Sequence, residues 1–304
     1  MRQVIRNFAK DGRQIEPIWR YGFNFLPSLQ YKLKPSANSG DATLKIVERL
    51  NQDGIAITSI DELLADKTPF AELESAIESL LSSRHKELQE IKLNAGDAAA
   101  IGEKTFNVEL LGSEVEFDAD SVFARFALQE TFLNIANAYF GMLVKLRYYN
   151  VWQTFMTSGT ARESQLWHFD REDNCILKLF LYLKDVDEGA GPFTYAPKTH
   201  RKGKLWEKQP EFSLEKNVMR STDEQMAAVV PKESWVQGVG KKGTIIFADT
   251  RGFHKGGEAR TDDRLMFTAM FTSPASDSKR LLRFPANLTF NSLTKKQLCA
   301  LEIK

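Results

Sequence analysis

The sequence predicts a mainly β domain with supporting helices, an α+β chain in which α-helices flank a double-stranded β-helix, or jelly roll. Two observations favour this fold class. Stretches with a helical spacing of apolar residues lie before Met142, and from Met142 onward the apolar residues fall in short runs of strand length. Because helices that precede a set of strands can cover one face of the resulting sheet, we expect helical support on one side of the barrel.

The first forty residues are predicted to form an N-terminal extension, residues 1–40. They mix basic and aromatic residues, and residues 35–40 have the Pro, Ser, Asn and Gly composition of a linker. The aromatic side chains could line a substrate entrance or a partner surface. Packing across the outside of the barrel is the commoner arrangement, and we expect it here.

Two amphipathic helices are predicted between this extension and the strands. Residues 70–92 place their apolar side chains on one helical stripe and their charged side chains on the opposite face. A second helix is predicted over about 121–139, with Asp120 or Ser121 as its N-cap and Gly141 as its stop. Both are interpreted as outer helices that support the strands.

The strands follow and are predicted to form one core. Short apolar runs bounded by turn residues occur at 143–155, around His168, and at 175–183, 191–197, 243–249 and 264–272. A chain of 304 residues with 42% hydrophobic residues can bury a sizeable core. We predict a single domain over residues 41–304, with its jelly-roll core at about 142–275.

The tripeptide His168-Phe169-Asp170 is a candidate metal-binding motif. In an extended strand, residues two apart point to the same face, so the imidazole and the carboxylate would enter one cavity about 6–7 Å apart. His254, which follows the predicted strand 243–249 and a turn, is the candidate third ligand. Two histidines and one carboxylate on one face of a metal form the ligand set of non-haem Fe(II) oxygenases, which leaves other positions for co-substrate and oxygen.

Arg264 is a candidate anchor for an anionic co-substrate. It lies ten residues after His254 and opens the apolar strand 264–272. A guanidinium in this position can bind a carboxylate through two parallel hydrogen bonds, and a dicarboxylate would suit it.

The pattern of these residues resembles the phytanoyl-CoA dioxygenase family of Fe(II)- and 2-oxoglutarate-dependent oxygenases. His168-x-Asp170, then His254, then Arg264 ten positions later are similar to that family's metal triad and to its arginine for the distal carboxylate of 2-oxoglutarate. The resemblance covers about residues 41–275.

Two further segments carry the resemblance. Residues 50–57 are similar to the family's opening helix, turn and strand, and residues 191–200 to its strand that ends in a Pro-Gly-Ser-His turn, with Lys198 in place of the glycine and Thr199 in place of the serine. Thr199 and His200 are expected to hold this turn through hydrogen bonds from side chain to backbone.

The resemblance implies a cupin-like barrel and a reaction. His168, Asp170 and His254 would be the catalytic centre that holds Fe(II), with 2-oxoglutarate as co-substrate and ascorbate as a supporting reductant. The implied enzyme hydroxylates an unactivated carbon of a small-molecule substrate and releases succinate and carbon dioxide. Related halogenases carry a small residue in place of the carboxylate, so Asp170 favours hydroxylation, while desaturation and ring closure stay open.

Three more residues are candidate contacts of 2-oxoglutarate. Lys178 interrupts the apolar run 175–183, and a buried ammonium needs an anion. That anion could be a carboxylate of 2-oxoglutarate or of the substrate. Alternatively, Lys178 forms a structural ion pair or is an edge-strand lysine that reaches solvent. Asn150 and Gln153 lie on a strand that, by the resemblance, crosses the same pocket. They are three residues apart, so on a regular strand only one of them can face inward.

Composition limits the other function classes. Lys and Arg number 41 against 40 acidic residues, so the net charge of +1 gives no indication of nucleic-acid or membrane binding. Cys175 and Cys299 cannot form a disulfide framework, and the first residues lack the apolar core of a signal peptide. We expect a cytoplasmic protein that acts on a small molecule, and the sequence does not indicate its oligomeric state.

Two alternatives from other classes stay open. The same triad could hold zinc and activate water in a hydrolase, since His and carboxylate ligands also suit zinc. Arg264 is not explained by that reading, because water activation needs no dicarboxylate anchor. The chain could also be a binding module that kept the barrel without turnover, and decay of 2-oxoglutarate in the absence of substrate would argue against that.

Overall fold

The computed structural model describes residues 12–33, 40–94, 106–215, 218–286, 290 and 292–303. Apart from Gly40, the predicted linker at 35–40 lies outside the described residues. The α-helices are Glu16–Ile18 (α1), Phe25–Leu33 (α2), Asp41–Asp53 (α3), Ile60–Leu63 (α4), Thr68–Ser83 (α5), His85–Asn94 (α6), Val122–Ala127 (α7), Glu130–Phe140 (α8), Asp223–Ala227 (α9) and Lys295–Ala300 (α10).

The strands form one large sheet, one small sheet and two short pairs. They are Ile55–Ser59 (β1), Asn107–Glu109 (β2), Val115–Glu116 (β3), Lys145–Thr154 (β4), Ile176–Tyr182 (β5), Phe193–Tyr195 (β6), Ser213–Glu215 (β7), Val218–Arg220 (β8), Val236–Gln237 (β9), Thr244–Asp249 (β10), His254–Gly256 (β11), Arg264–Thr272 (β12) and Leu282–Arg283 (β13). The large sheet has the order β1-β10-β5-β12-β4-β2 and the small sheet the order β11-β6-β9. Neighbouring strands in both sheets are antiparallel.

The two faces of the large sheet have different neighbours. Leu179 and Leu181 of β5 belong to a core that the sheet shares with the helices, whereas Phe180 and Tyr182 pack with Phe193 of the small sheet. This division follows from the strand pleat, because successive side chains point to opposite faces. The molecule is a mixed α/β fold in which helices cover one face of the large sheet and the small sheet covers the other.

The two sheets are antiparallel, and the described strands do not close into the predicted barrel. Within the described ranges, no hydrogen-bonded ladder joins the large sheet to the small one. The strand expected around His168 is reduced to isolated bridges, in which Trp167 pairs with Ser221 and His168 pairs with His254. Predicted strand 264–272 matches β12 at both ends.

The prediction of two uninterrupted outer helices was wrong. The 70–92 pattern is divided into α5 and α6 at Arg84, whose guanidinium binds Glu87 (2.5 and 2.8 Å) and the carbonyl of Leu110 (2.7 Å). The 121–139 pattern is divided into α7 and α8 at Gln129, where ψ is 133°. Apolar periodicity continues across each break, so it could not reveal either. Gly141 does stop α8, in the left-handed conformation with φ of 67°.

The N-terminal segment is fixed to the fold by Trp19. Its indole is buried, and Nε1 donates hydrogen bonds to Asp173 (2.7 Å) and to the hydroxyl of Ser273 (3.1 Å). Tyr21 and Phe25 of the same segment remain exposed. One side of the segment is therefore part of the core, while its other side is at the surface. No helix within the described residues is both long and apolar enough to cross a membrane.

Gly54 makes the tight connection between α3 and β1, the element predicted at 50–57. Its φ is +80°, a conformation that residues with a Cβ rarely adopt. A Cβ on Gly54 would lie 2.3 Å from the hydroxyl of Tyr195 and 2.6 Å from Nδ1 of His200. The connection therefore needs glycine both for its backbone conformation and for space.

We expect Gly54→Ala to lower the free energy of unfolding by about 2–4 kcal/mol, from left-handed strain together with overpacking. Gly112 is the matched control, since its φ is +85° but a Cβ there would meet nothing within 4 Å. Gly112→Ala should cost only the strain, about 1–2 kcal/mol. Denaturant unfolding of both variants measures the difference, and equal losses would contradict the steric role of Gly54.

Candidate metal centre and its cavity

His168 and His254 are held side by side by their own backbones. The amide of His168 donates to the carbonyl of His254 (3.0 Å) and the amide of His254 to the carbonyl of His168 (2.9 Å). The two ring centroids are 4.3 Å apart. Residues 86 positions apart in the sequence, at the end of a loop and at the start of β11, are thereby fixed as a pair.

Asp170 joins this pair from the same segment as His168. Its amide donates to the carbonyl of Thr250 (2.8 Å), and its carbonyl accepts from Nη1 of Arg251 (2.8 Å). One potential ligand atom from each of His168, Asp170 and His254 lies within 4.8 Å of the other two. The structure thus brings together the three side chains that the sequence singled out as metal ligands.

The hydrogen bonds of the imidazoles indicate which nitrogen faces the centre. Nδ1 of His168 lies 2.9 Å from the carbonyl of Leu166, and Nδ1 of His254 lies 3.0 Å from the carbonyl of Gly252. A carbonyl only accepts, so each Nδ1 carries the proton, and each Nε2 keeps its lone pair for a metal.

Burial and neighbouring charge favour the protonation states that a metal requires. Burial lowers the pKa of His254 to about 4 and, together with the proximity of His254, lowers that of His168 well below its ordinary value. Burial alone would raise the pKa of Asp170, but the ammonium of Lys178 and the two imidazoles outweigh it and lower that pKa. Neutral imidazoles and an ionised carboxylate are the forms that bind metal.

The triad opens into a cavity of about 430 Å³ between the two sheets. Alternate side chains of β4, β5 and β12 point into the cavity and form most of one wall. The lining residues from these three strands include Tyr148, Asn150, Trp152, Thr154, Lys178, Phe180, Arg264, Met266 and Thr268. A single cavity therefore contains the triad and the predicted anchor for a co-substrate.

Arg264 is a buried cation, and two of its nitrogens have no partner among the described residues. The residue is 5% exposed, and the two nitrogens are Nε and Nη1. Burial lowers the pKa of this guanidinium. A Cβ on Gly256, two residues after His254, would lie 3.5 Å from Nη2 of Arg264. An unpartnered guanidinium so close to the triad fits a carboxylate ligand.

Lys178 has a partner within the triad itself. Its Nζ lies 2.7 Å from Oδ2 of Asp170, which is an ion pair by distance, although Oδ2 accepts no hydrogen bond of regular geometry from a described residue. The two side chains are 16% and 13% exposed. Of the alternatives for Lys178, the structure shows the ion pair within the protein, and β5 is not an edge strand.

Asn150 and Gln153 point to opposite faces of β4. Asn150 lines the cavity, but its amide is engaged, since it accepts from the amide of Leu111 (3.1 Å) and donates to the carbonyl of Gly112 (2.8 Å). Gln153 is paired with Leu265, which belongs to the core on the helical side of the sheet. The pleat therefore directs Gln153 away from the cavity, and the geometry gives no support to its expected contact with 2-oxoglutarate.

The turn after β6 has a left-handed residue at the position of the family's glycine. Lys198 occupies the glycine position with φ of +67°. The hydroxyl of Thr199 donates to the carbonyl of Ala196 (2.7 Å) and accepts from the amide of Phe253 (2.8 Å), the residue before His254. Thr199 therefore ties the turn to the segment that carries a triad histidine.

Two residues near the site, Arg251 and Thr268, were not identified by the sequence analysis. Arg251 holds the backbone of Asp170 and lies over the ring of Phe169, with its guanidinium carbon 5.4 Å from the ring centroid. Thr268 lines the cavity on the same face of β12 as Arg264, and no described residue bonds to its buried hydroxyl. Thr268 lies four residues after Arg264 on the same strand, and this even spacing, which places both side chains on one face, could have identified it.

The converging His, Asp and His side chains between antiparallel sheets match the ligand set of non-haem iron oxygenases. The chain belongs to the phytanoyl-CoA dioxygenase (PhyH) family, whose profile matches residues 60–266, more than half of its length. It is accordingly an Fe(II)- and 2-oxoglutarate-dependent oxygenase, which confirms the family and the activity predicted from the sequence.

Solved structures show the same fold at low sequence identity. The epimerase SnoN, in complex with Fe3+, alpha ketoglutarate and nogalamycin RO, is 17% identical, with 79% of this chain and 87% of that chain covered and a TM-score of 0.52. EctD from S. alaskensis with bound Fe is also 17% identical, with 82% and 84% covered and a TM-score of 0.51. A comparison with curated proteins gives no match.

Proposed function

We propose that His168, Asp170 and His254 hold Fe(II), that Arg264 binds the distal carboxylate of 2-oxoglutarate, and that the enzyme hydroxylates an unactivated carbon of a small-molecule substrate. The observation that carries this proposal is the buried guanidinium of Arg264 in the cavity of the triad, two of whose nitrogens have no partner in the part of the chain that the structure describes. A buried cation with unused donors is unfavourable unless a ligand completes it. A dicarboxylate fits that requirement.

The fold that we propose for this site is a double-stranded β-helix open at its edges. The large and small sheets would be its two halves, within a single domain over residues 41–304. The shared apolar core between the sheets supports this, because Phe180, Tyr182, Phe193, Tyr195 and Met266 pack together there.

When bound, Fe(II) with 2-oxoglutarate supplies the oxidation of a substrate carbon by dioxygen, with release of succinate and carbon dioxide. The protein's contribution is geometry. Nε2 of each histidine and the carboxylate of Asp170 would bind the metal from one side, while Arg264 would orient the co-substrate. Phe180, Phe193 and Met266 would keep water away from the co-substrate, and ascorbate would keep the iron reduced.

The substrate is proposed to occupy the end of the cavity away from Arg264. Tyr148, Arg147 and Glu172 line that end. Arg147 and Glu172 form only a long contact of 3.5 Å, and their side chains are 14% and 29% exposed. Groups of both charges therefore line the end of the cavity that we propose for a small polar substrate.

A zinc hydrolase is less well supported, because it leaves the unpartnered donors of Arg264 unexplained. A binding module without turnover would share this geometry but not the activity of the family to which the chain belongs. We expect the purified protein with Fe(II), ascorbate and labelled 2-oxoglutarate to release succinate and labelled carbon dioxide, and protein loaded with Zn²⁺ alone to release neither. Screening metabolite extracts for compounds that stimulate succinate release would then identify the substrate. No decay of 2-oxoglutarate, with or without extracts, would contradict the proposal.

A further inference from the structure

Lys178 is a largely buried cation on a central strand, where a charge lowers stability unless a group of opposite charge is close to it. It is on β5, between β10 and β12 in the middle of the large sheet, and its parity is that of Phe180 and Tyr182, which face the small sheet. The side chain enters the cavity and is 16% exposed. A lysine placed on a central strand in this way has no route to bulk solvent other than through the cavity.

The position of Lys178 excludes a role beside Arg264. Lys178 is paired with Met270 on β12, six residues after Arg264. Six residues of strand extend about 20 Å, which is more than the two side chains can span together. Lys178 and Arg264 therefore cannot bind one carboxylate of a co-substrate, and the ion pair of Lys178 with Asp170 (2.7 Å) is the contact to explain.

We propose that Lys178 is the counter-charge of the metal-free centre and a positioning residue for Asp170, occupying Oδ2 so that the other carboxylate oxygen is left for the metal. The inference rests on the proposed role of Asp170 as a metal ligand. One oxygen bound to the metal, rather than two, preserves the open positions that the co-substrate and dioxygen require.

The other neighbours of Asp170 cannot take this role. Its peptide group is bound by Thr250 and Arg251, but these contacts are made by backbone atoms of Asp170 and leave its carboxylate unneutralised. The two imidazoles turn their N–H groups toward carbonyls of Leu166 and Gly252. Arg220 also lines the cavity, but its ion pair is with Glu163 (3.9 Å). Without Lys178, no described cation would lie within ion-pair distance of the buried carboxylate in the metal-free protein, which is strongly destabilising.

Lys178 and the metal then share one carboxylate, so each makes the presence of the other less favourable. Lys178→Met keeps most of the aliphatic length and removes the charge. We expect the metal-free Lys178→Met protein to unfold about 5–10 °C below the metal-free wild type. We also expect it to bind Mn²⁺ at least about tenfold more tightly, because binding restores the missing cation.

The experiment measures Mn²⁺ binding by electron paramagnetic resonance, and thermal unfolding with and without Mn²⁺, for wild type, Lys178→Met, Lys178→Arg and the double variant Asp170→Asn/Lys178→Met. Lys178→Arg should behave nearly as wild type. The double variant removes both charges, so its metal-free form should regain more than half of the unfolding temperature that Lys178→Met loses. It remains informative if the single variant folds only with metal.

Unchanged Mn²⁺ affinity and unchanged metal-free stability in Lys178→Met would overturn the inference, as would weaker Mn²⁺ binding in a folded Lys178→Met protein. A readout that does not depend on turnover is the visible absorption of the complex with Fe(II) and 2-oxoglutarate under anaerobic conditions. Its spectrum should change in Lys178→Met if Asp170 then binds through both oxygens, and an unaltered spectrum counts against the positioning role. Failure of the wild type to bind Mn²⁺ would instead overturn the metal centre, and the inference with it.

Discussion

Asp170→Ala is expected to abolish succinate formation from 2-oxoglutarate, with turnover lowered by at least about 100-fold. Loss of a contact to a metal ligand already costs 10–100-fold in metal affinity or activity, and this change removes the ligand itself. Only His168 and His254 would remain to hold the metal. The measurement is release of succinate and labelled carbon dioxide with Fe(II) and ascorbate.

Asp170→Ala also leaves the ammonium of Lys178 without its partner, so unfolding must be separated from loss of metal. Thermal unfolding of Asp170→Ala and of Asp170→Ala/Lys178→Met provides that separation, because the double variant has no unpaired cation there. Asp185→Ala is the matched control, since that exposed aspartate pairs with Lys241 (2.8 Å) at the surface and should keep wild-type turnover. Undiminished turnover in a folded Asp170→Ala protein would refute the ligand assignment.

Arg264→Ala is expected to raise the apparent KM for 2-oxoglutarate by roughly 10- to 150-fold, which corresponds to the 1.5–3 kcal/mol of a lost charge-assisted hydrogen bond. The iron requirement should change little, because no triad atom contacts the guanidinium through a described hydrogen bond. Arg264→Lys should be intermediate, since an ammonium keeps the charge without the planar fork.

The readout for Arg264 is a pair of titrations, one of 2-oxoglutarate at saturating Fe(II) and one of Fe(II) at saturating 2-oxoglutarate. Arg283→Ala is the control for removal of an arginine, because Arg283 is 67% exposed and pairs with Glu116 at the surface. If both titrations shifted equally in Arg264→Ala, the guanidinium would be a structural cation rather than the co-substrate anchor.

The convergence of the three side chains was predictable because His168 and Asp170 lie two residues apart in one segment and the turn after β10 leads into His254. The strand expected around His168 is not formed, and the pairing of His168 with His254 across 86 residues is a tertiary contact. The strand repeat of two predicted that Asn150 and Gln153 could not both face inward. Which of the two faces the cavity was not predictable, because that depends on which face of β4 the helices cover.

Other features depend on contacts that no local pattern carries. The break at Arg84 involves a carbonyl 26 residues away, and the anion that Lys178 binds comes from a different segment of the chain. Arg251 was missed because its importance lies in one hydrogen bond to the backbone of Asp170. Closure of the barrel was expected from the fold class, yet the ladders that would close it are not formed by the described strands.

The reciprocal amide bonds between His168 and His254 bear on how the enzyme is loaded. In small zinc domains the ion must organise a disordered chain, so a chelating wash unfolds them. Here the backbone hydrogen bonds already fix His168 and His254 next to each other, so little conformational entropy remains to be lost when the cation binds. Ion exchange should accordingly be a local event, which would let an emptied enzyme be refilled without refolding and leave the identity of its metal to be set by supply in the cell.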